Sequence, residues 1–344
     1  MSGRVAVIGG GVSGLTAAYA LRSALGAAVD LDVWEAAERP GGLLCTRTVD
    51  SGATDGVAMD VGAEAFIVRR REAIELVRQL GLADQVVAPG PLRPAIWSGE
   101  RLHPLPAPAV MGIPCTAAAL GDLIDAQTRV HIETEPQRPW TLPRTGLSVG
   151  ELVRDRFGAQ VVARSVDPML GGVYSARADD LGLSESVGGL AKAIAEGAPS
   201  LTAAVTAVSA AAASVDGPVF GALRGGYRTL VDALAAASGA TIHTGAPVVA
   251  IDRQTSDYRV VTADDAVRYD AVVVAVPPWS ASELLAGVAP ETASLLADVR
   301  PAGSAVVGCV LAPGTVLPAH SGILVASDAD LAMKAVTLST QKWP

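Results

Sequence analysis

The sequence predicts an α/β protein that opens with a Rossmann-like unit, and the order of its N-terminal segments carries this prediction. Residues 4–8 (RVAVI) form a β-branched run typical of a buried strand, and residues 15–25 (LTAAYALRSAL) favour a helix. Between them, GGGVSG places Gly9, Gly11 and Gly14 in a G-x-G-x-x-G turn. This spacing between a strand and a helix indicates a dinucleotide-binding site.

Each glycine of the turn has its own expected task. Gly9 allows the tight turn, Gly11 lets the backbone approach a pyrophosphate, and Gly14 lets the helix pack closely on the strand. The pyrophosphate would lie at the helix N-terminus, where unpaired N–H groups and the positive end of the helix dipole attract an anion. The predicted contact residues here are Gly9, Gly10, Gly11, Val12, Ser13 and Gly14.

A second strand is predicted at residues 29–34 (VDLDVW), and it ends at Glu35. Glu35 lies 21 residues after Gly14. A carboxylate about 20 residues beyond the glycine turn binds the ribose hydroxyls in dinucleotide-binding folds. The combination of strand, turn, helix and acid is more specific than a glycine-rich turn alone.

The residues after Glu35 bear on which dinucleotide is bound. The sequence AAERPGG places Arg39, Gly41 and Gly42 in an E-x-x-x-R-x-G-G continuation. This continuation resembles the extended fingerprint of FAD-binding flavoproteins of the amine oxidase and protoporphyrinogen oxidase superfamily. Paired glycines would let the backbone pass under the flavin-side phosphates, and the arginine would supply charge-assisted hydrogen bonds. The alternative is a Pro-Gly turn with a surface arginine.

Later segments narrow the resemblance to one branch of that superfamily. In order along the chain they are MDVGAEAFIVRR (59–70), GERLHPLP (99–106), VMGIPCT (110–116), RSVDPMLGGVYSA (164–176), PVFGALRGGYRTLVDAL (218–234), PVVAID (247–252), DAVVVAVPP (270–278) and TLSTQKWP (337–344). Together they resemble the porphyrinogen oxidases of haem biosynthesis, in the Gram-positive and actinobacterial branch that acts on coproporphyrinogen III. The resemblance covers essentially the whole chain.

The resemblance implies a fold, a cofactor and a reaction. The fold would be α/β, in part α+β, of the glutathione reductase and amine oxidase type. The reaction would oxidise coproporphyrinogen III to coproporphyrin III on FAD, with three O₂ reduced to three H₂O₂. Besides the glycine turn, the implied FAD contacts are Glu35, Ala36, Arg39, Gly42, Leu43, Gly62, Ala63, Glu64, Ala65 and Val248.

Substrate residues are implied less directly. By resemblance, residues 164–174 would border the pocket, with Gly171, Gly172 and Tyr174 as candidates beside a flat macrocycle. The alternative for this stretch is a helix end followed by a strand. Residues 69–71 (RRR) could pair with substrate carboxylates, although a run of charges is more often a solvated face.

The order of motifs predicts a discontinuous organisation. We expect an FAD-binding domain at 1–95 and 217–278, a mixed-sheet substrate domain at 96–114 and 279–344, and a helical domain at 115–216. The alanine-rich residues 203–213 are expected to form either a flexible loop or a poor helix. Porphyrinogen oxidases usually continue well beyond the point at which this sequence ends, Pro344, so the resemblance also implies a C-terminally shortened member whose activity and flavin pocket are reduced.

Composition excludes several classes of protein. The 26 basic and 35 acidic side chains give a net charge of −9, which argues against a nucleic-acid partner. Half of the residues are apolar, which excludes intrinsic disorder and leaves peripheral membrane contact open. Cys45, Cys115 and Cys309 lie far apart, which favours a reducing, cytoplasmic location and no disulfides. The histidines and cysteines lack metal-ligand spacing, so no metal is predicted.

Four alternatives to the main interpretation stay open. The first is a protoporphyrinogen IX oxidase. The next two are a related flavin amine oxidase and a carotenoid desaturase, which would share the first 45 residues but lack the 99–116 and 164–176 segments. The last is a non-catalytic FAD-binding protein. The main interpretation implies a porphyrinogen and O₂ as partners, and it leaves contact with the next enzyme of the haem pathway open.

Overall fold

The computed structural model describes residues 3–49, 56–140, 146–213 and 217–344. Its strands are β1 (Gly3–Ile8), β2 (Val29–Trp34), β3 (Thr46–Val49), β4 (Val57–Asp60), β5 (Phe66–Ile67), β6 (Val86–Val87), β7 (Ala95–Ser98), β8 (Arg101–Pro104), β9 (Ala109–Val110), β10 (Ile113–Pro114), β11 (Phe220–Leu223), β12 (Thr241–His243), β13 (Val248–Arg253), β14 (Tyr258–Thr262), β15 (Ala266–Tyr269), β16 (Ala271–Val274), β17 (Gly322–Val325) and β18 (Ala335–Thr337).

The helices lie between these strands, and seven of the described α-helices follow one another without a strand between β10 and β11. The α-helices are α1 (Val12–Leu25), α2 (Arg71–Gln79), α3 (Ala126–Glu133), α4 (Val149–Phe157), α5 (Ala159–Val161), α6 (Asp167–Tyr174), α7 (Leu183–Ser186), α8 (Gly188–Ala195), α9 (Leu201–Ala213), α10 (Arg228–Ser238), α11 (Pro278–Leu285), α12 (Pro290–Ala297) and α13 (Ser339–Lys342). Short 3-10 helices lie at Gly26–Ala28, Ala83–Gln85, Ala117–Leu123, Glu135–Gln137 and Ala178–Asp180, and a π-helical turn lies at Val162–Val166.

The chain forms two compact units. The first contains Met1–Ala88, Pro218–Pro301 and Ala305–Pro313, and the second contains Pro89–Gly217, Ala302–Ser304 and Gly314–Pro344. The chain therefore leaves the first unit and returns to it.

A parallel sheet forms the centre of the first unit. Within the described residues its strand order is β12-β2-β1-β16. Helix α1 packs on this sheet through Ala18, which shares a buried cluster with Val7 and Val33. On α1, Leu15 is buried in one cluster with Leu230 and Leu234 of α10. Two further sheets of this unit are antiparallel, β13-β14-β15 and β5-β11-β6, and β3 pairs with β4 in a hairpin.

The second unit surrounds the mixed sheet β18-β17-β7-β8 with helices α3 to α9. One hydrophobic core joins them, because Ile96 of β7 and Ala326, just after β17, belong to the same buried cluster as Leu152 and Phe157 of α4 and Leu201 of α9. The predicted helical and substrate domains thus share one core in the structure. The division into three domains differs from the observed one for this reason.

The boundary at residue 278 also differs from the sequence prediction, which placed residues 279–344 together. Helices α11 and α12 lie in the first unit. Leu284 of α11 is buried in one cluster with Ile251, Val260 and Tyr269 of the antiparallel sheet. The apolar face of α11 is therefore covered by the first unit, which the sequence order alone does not reveal.

The alanine-rich segment is a helix, α9, rather than a loop. Its first backbone N–H groups are capped from a distant part of the chain. The carboxylate of Glu135 accepts hydrogen bonds from the amides of Leu201 (2.9 Å) and Thr202 (3.1 Å), and the Ser200 hydroxyl accepts one from Ala203 (3.1 Å). Because Glu135 lies far from α9 in the sequence, no local sequence pattern predicts this cap or the start of the helix.

None of the helices in the described parts of the chain combines the length and the apolar character needed to cross a bilayer.

Candidate cofactor site

The glycine turn between β1 and α1 has the geometry that the sequence predicts. Gly9 has a φ of +105°, and its amide donates to the carbonyl of Trp34 at 2.8 Å. A side chain at Gly14 would place its Cβ 1.8 Å from the Gly9 carbonyl oxygen, so α1 starts too close to the turn for any Cβ. A Cβ at Gly11 would meet only the Cα of Gly42, at 4.0 Å. The turn therefore leaves open space at Gly11, where a pyrophosphate would lie.

The first residues of α1 face solvent beside this opening. Val12 and Ser13 are exposed, and the amide of Leu15 is the first that bonds within the helix, to the Gly11 carbonyl at 3.0 Å. The earlier amides are thus available to an anion at the helix N-terminus.

Glu35 follows β2 directly, as predicted, and its carboxylate is held in place by two backbone amides. Gly10 donates to Oε2 at 2.7 Å and Ala37 donates to Oε1 at 2.8 Å. The amide of Glu35 donates in turn to the carbonyl of His243 at 2.8 Å. Each carboxylate oxygen keeps a second lone pair, so the group can still accept hydrogen bonds from ribose hydroxyls.

The neighbours of Glu35 include two other predicted contact residues. Ala36 is exposed at the strand end. Ala246 donates its amide to the Glu35 carbonyl at 2.9 Å, and Val248 follows two residues later as the first residue of β13. The structure therefore brings Val248 near the predicted ribose site, although its side chain packs against the cluster that contains Ile8 and Trp34.

The Arg39 side chain is bonded within its own loop. Its guanidinium donates to three backbone carbonyls of its own loop, those of Pro40 (3.1 Å), Leu44 (3.0 Å) and Gly42 (3.0 Å). These bonds shape the 41–44 loop, in which Gly41 and Gly42 have φ of +108° and +56°. Arg39 therefore positions the loop through its carbonyls. These bonds use three of the five N–H donors of the guanidinium, and the predicted charge-assisted contact with the cofactor stays a prediction.

The 41–44 loop lies against the glycine turn. The amide of Gly41 donates to the Gly10 carbonyl at 2.7 Å, and a Cβ at Gly42 would be 3.2 Å from the Cα of Gly11. The next residue, Leu43, is 86% exposed. A large apolar side chain held out beside two glycines suits contact with a flat apolar ligand.

The 62–65 loop contains Gly62, Ala63, Glu64 and Ala65, and it is bonded to the 41–44 loop. The Ala63 amide donates to the Leu43 carbonyl at 3.2 Å. A Cβ at Gly62 would lie 2.0 Å from that same oxygen, so only glycine fits there. The glycine turn, Glu35 and both loops thus meet in one region of the first unit, and together they could hold an extended dinucleotide.

The substrate candidates belong to the second unit. Gly171, Gly172 and Tyr174 occupy the end of α6, which is capped by Ser175 at a φ of +56°. Gly172 and Tyr174 are exposed, and the Tyr174 hydroxyl donates to the Ser186 carbonyl at 2.9 Å. The stretch is therefore a helix end, the alternative that the sequence left open, although a 3-10 turn rather than a strand follows it. Residues 69–71 are exposed.

Sequence reasoning missed a buried polar network behind Glu35. Asp32 on β2 accepts hydrogen bonds from Arg4 (2.9 Å), His243 (2.8 Å) and the Tyr269 hydroxyl (3.0 Å), which in turn accepts from Trp34 (3.0 Å). The Trp34 and His243 rings stack with centroids 4.1 Å apart. Asp32, within the largely apolar strand VDLDVW, was the one available signal in the sequence. Its partners Arg4, His243 and Tyr269 lie on other strands, β1, β12 and β15.

We expect this network to make the free energy of unfolding depend on pH in the acidic range. Burial raises the pKa of Asp32, but the bonds from His243 and Tyr269 and the charge of Arg4 outweigh burial and lower that pKa below its ordinary value of about 4. The ionised carboxylate therefore stabilises the fold above pH ~4, and this stabilisation is lost as the pH falls through the lowered pKa.

The measurement is urea unfolding of the wild type and Asp32→Asn in a series from pH 7 to pH 3. The variant should lose about 1–3 kcal/mol of unfolding free energy at pH 7, with the difference narrowing below pH ~4. A difference that stayed constant over the series would contradict the assigned role of the charge.

Among the residues that the structure describes, no group of three or more histidine, cysteine, aspartate or glutamate side chains is placed to hold a metal ion.

Comparison with known proteins identifies the family. The sequence profile described as flavin containing amine oxidoreductase matches residues 12–340. Coproporphyrinogen III oxidase from Mycobacterium tuberculosis is 43% identical over 341 residues, which cover 98% of this chain and 73% of that protein. The chain belongs to the flavin-containing amine oxidoreductase family.

Two further proteins are similar at lower sequence identity. Chloroplastic protoporphyrinogen oxidase 1 from Arabidopsis thaliana is 28% identical over 314 residues, or 85% of this chain and 56% of that protein. The crystal structure of a protein from Exiguobacterium sp. superposes with a TM-score of 0.80 at 23% identity, covering 100% of this chain and 74% of that one. These findings confirm the predicted fold class, and membership of the flavin-containing amine oxidoreductase family confirms the predicted FAD cofactor.

Proposed function

We propose that this flavin-containing amine oxidoreductase is an FAD-dependent oxidase that converts coproporphyrinogen III to coproporphyrin III with O₂ as the electron acceptor. The observation that carries this proposal is the 43% identity to a coproporphyrinogen III oxidase over nearly the whole chain. The open turn at Gly11, with Glu35 held beside it, supports the FAD-dependent part of the proposal independently.

The protein's own residues bind and orient the cofactor. The first amides of α1 would bind the pyrophosphate, and Glu35 would accept from the ribose hydroxyls. The 41–44 and 62–65 loops would line the flavin side, with Leu43 excluding water from it. The chemistry that FAD supplies when bound is two-electron oxidation, so complete oxidation of one porphyrinogen consumes three O₂ and releases three H₂O₂.

The end of α6 has features that suit a flat, carboxylated macrocycle. Val173 and Tyr174 present apolar surface that is 51% and 39% exposed, and Gly172 adds no side chain beside them. Lys334 donates from Nζ to the carbonyl of Ser175 at 2.6 Å, which holds a cation at this helix end. An ammonium group in this position would bind a propionate of the substrate.

Lys334 yields a kinetic prediction. Lys334→Met should raise KM for coproporphyrinogen III by about three- to tenfold and change kcat little, because an exposed charge contributes equally to binding of the ground state and the transition state. The matched control is Lys192→Met on α8, an exposed lysine whose partner is Glu196 at 3.7 Å. Equal KM values for the two variants would remove Lys334 from the substrate site.

Glu35 yields a prediction about the cofactor. Glu35→Ala should weaken FAD binding by about 1.5–3 kcal/mol, because it removes charge-assisted hydrogen bonds to the ribose. The measurement is titration of the apoprotein by flavin fluorescence. Glu38→Ala, three residues further along the same loop and exposed, is the control and should bind FAD as the wild type does. Unchanged affinity in Glu35→Ala would reject the ribose assignment.

The direct test of function uses the purified chain with FAD under air. Coproporphyrinogen III and protoporphyrinogen IX are supplied in parallel, and porphyrin fluorescence and H₂O₂ are followed. We expect faster oxidation of coproporphyrinogen III with three H₂O₂ per porphyrin. Preference for protoporphyrinogen IX, in line with the similarity to the Arabidopsis protein, would support that second candidate. Absence of oxidation of both by a flavin-loaded protein would reject the proposal.

The proposal also includes the cellular compartment in which the reaction takes place. All three cysteines are free thiols, and Cys115 is buried, which fits a reducing compartment such as the cytoplasm. Peripheral membrane contact and contact with the next enzyme of the haem pathway stay predictions.

A further inference from the structure

The hairpin β3–β4 joins the two candidate flavin loops at their base. β3 begins at Thr46, two residues after the 41–44 loop, and β4 ends at Asp60, two residues before the 62–65 loop. Thr46 and Asp60 are direct cross-strand partners. The backbones on the loop side are also bonded, since the Val61 amide donates to the Cys45 carbonyl at 2.8 Å. The spacing between the loops is therefore set at this pair.

Thr46 and Asp60 also cap a helix from outside. The Thr46 hydroxyl donates to Oδ1 of Asp60 at 2.5 Å and accepts from the amide of Arg228 at 2.9 Å. The Asp60 carboxylate accepts from the amide of Tyr227 at 3.1 Å. Tyr227 is the N-cap residue of α10, a position that usually carries a small polar side chain. The hairpin supplies the missing cap.

This contact is close and buried. A Cβ at Gly226 would lie 2.8 Å from both Oδ1 of Asp60 and Oγ1 of Thr46, and Gly226 has a φ of +84°. Tyr227 and Thr46 are buried. Burial also raises the pKa of the Asp60 carboxyl against the bonds from Thr46 and Tyr227, which lower it, and nearby Glu64 raises it further.

Helix α10 in turn supports the glycine pair. The Cγ2 of Val231 lies 3.0 Å from the position that a Cβ on Gly41 would occupy. Gly41 is bonded to Gly10 of the glycine turn, so α10 lies directly behind the point where loop and turn meet. If the start of α10 moved, Val231 would move against Gly41, and Gly41 would in turn displace the glycine turn at the predicted pyrophosphate site.

From this connection we infer that Thr46 and Asp60 are positioning residues for the cofactor, because their paired side chains fix α10 and both flavin loops relative to the glycine turn. The inference rests on the proposed FAD-dependent function. Neither side chain has to touch FAD: the hydroxyl of Thr46 acts through the amide of Arg228, and the carboxylate of Asp60 acts through the amide of Tyr227.

The test compares three variants of the full chain. Thr46→Val removes the hydroxyl at nearly constant volume, and Thr46→Ser restores it. Ser238→Ala is the matched control, because Ser238 is a buried hydroxyl at the opposite end of α10 that donates to the Ala235 carbonyl at 2.8 Å. FAD dissociation constants, the absorption spectrum of the bound flavin and urea unfolding are measured for each.

We expect Thr46→Val to weaken FAD binding about tenfold and to alter the flavin spectrum, because both hydrogen bonds of the buried Thr46 hydroxyl, to Asp60 and from the Arg228 amide, are lost. Thr46→Ser and Ser238→Ala should both bind FAD within about twofold of the wild type, even though Ser238→Ala loses stability. Should Thr46→Val fail to fold, Asp60→Asn keeps the shape of the pair and should weaken FAD binding by about threefold or more.

Two results would overturn the inference. One is wild-type affinity in the folded Thr46→Val or Asp60→Asn variant. The other is an equal loss of affinity in Ser238→Ala, which would show that any destabilisation of α10 has this effect. Failure of the proposed function itself is distinguishable, because the wild type would then bind no FAD, or would bind FAD and oxidise neither porphyrinogen, whereas the inference depends only on the FAD affinities of the variants relative to a wild type that binds FAD.

Discussion

Gly11→Val should yield a folded protein that has lost its flavin. The structure leaves space for the new side chain within the protein, because the nearest atom to a Cβ at Gly11 is the Cα of Gly42 at 4.0 Å. The backbone there is extended, with a φ of −71°, which valine adopts without strain. The branched side chain would instead fill the space that a pyrophosphate needs. We expect FAD affinity to fall at least about a hundredfold, the loss of several hydrogen bonds to a charged group.

Flavin absorbance of the purified variant and circular dichroism together check this prediction. Gly14→Ala is the informative companion, because its Cβ would be 1.8 Å from the Gly9 carbonyl oxygen and the turn itself must move. That variant should unfold at a lower urea concentration than both Gly11→Val and the wild type. Stoichiometric FAD in Gly11→Val would mean that the pyrophosphate is bound elsewhere.

Arg156→Met should cost about 3–5 kcal/mol of unfolding free energy, the usual effect of breaking a buried ion pair. Arg156 on α4 donates from Nε to Glu135 at 2.9 Å, and Glu135 is fully buried. Although burial raises the pKa of Glu135, the amides of Leu201 and Thr202 and the guanidinium lower it, so the carboxyl is charged. Without Arg156, that charge is left without its cation in the core of the second unit.

The control for this variant lies one half-turn away on the same helix. Arg154 pairs with Asp179 at 2.7 Å, but the two side chains are 44% and 52% exposed. Arg154→Met should therefore change the unfolding free energy by at most about 1 kcal/mol. Urea unfolding of both variants at neutral pH provides the measurement, and a loss below about 1 kcal/mol for Arg156→Met would contradict the structural role of the pair.

The local parts of the cofactor site could be predicted from sequence because each depends on a short stretch of chain. The glycine turn and the position of Glu35 follow from a strand, a helix and a fixed spacing, and the structure has them where the pattern indicates. The observed bounds of β2 (Val29–Trp34) are the predicted ones.

The remaining features depend on contacts between distant segments. The pattern gives the position of Arg39 but not the three loop carbonyls to which it donates. The Asp32 network needs partners from β12 and β15, and α9 is capped by Glu135 from outside its own segment. The substrate contacts of Gly171, Gly172 and Tyr174 stay predictions.

The two amides that hold the Glu35 carboxylate have a consequence for the affinity and selectivity of cofactor binding. Gly10 and Ala37 fix the rotamer of Glu35 before any ligand arrives, so little side-chain entropy is left to lose on binding. Because one of these amides belongs to the glycine turn, the acid and the phosphate cradle form a single preorganised unit. A nucleotide with a 2′-phosphate would meet this negative charge, which the two amides hold in place. The unmodified ribose is therefore selected by repulsion of its phosphorylated counterpart as much as by the bonds it makes.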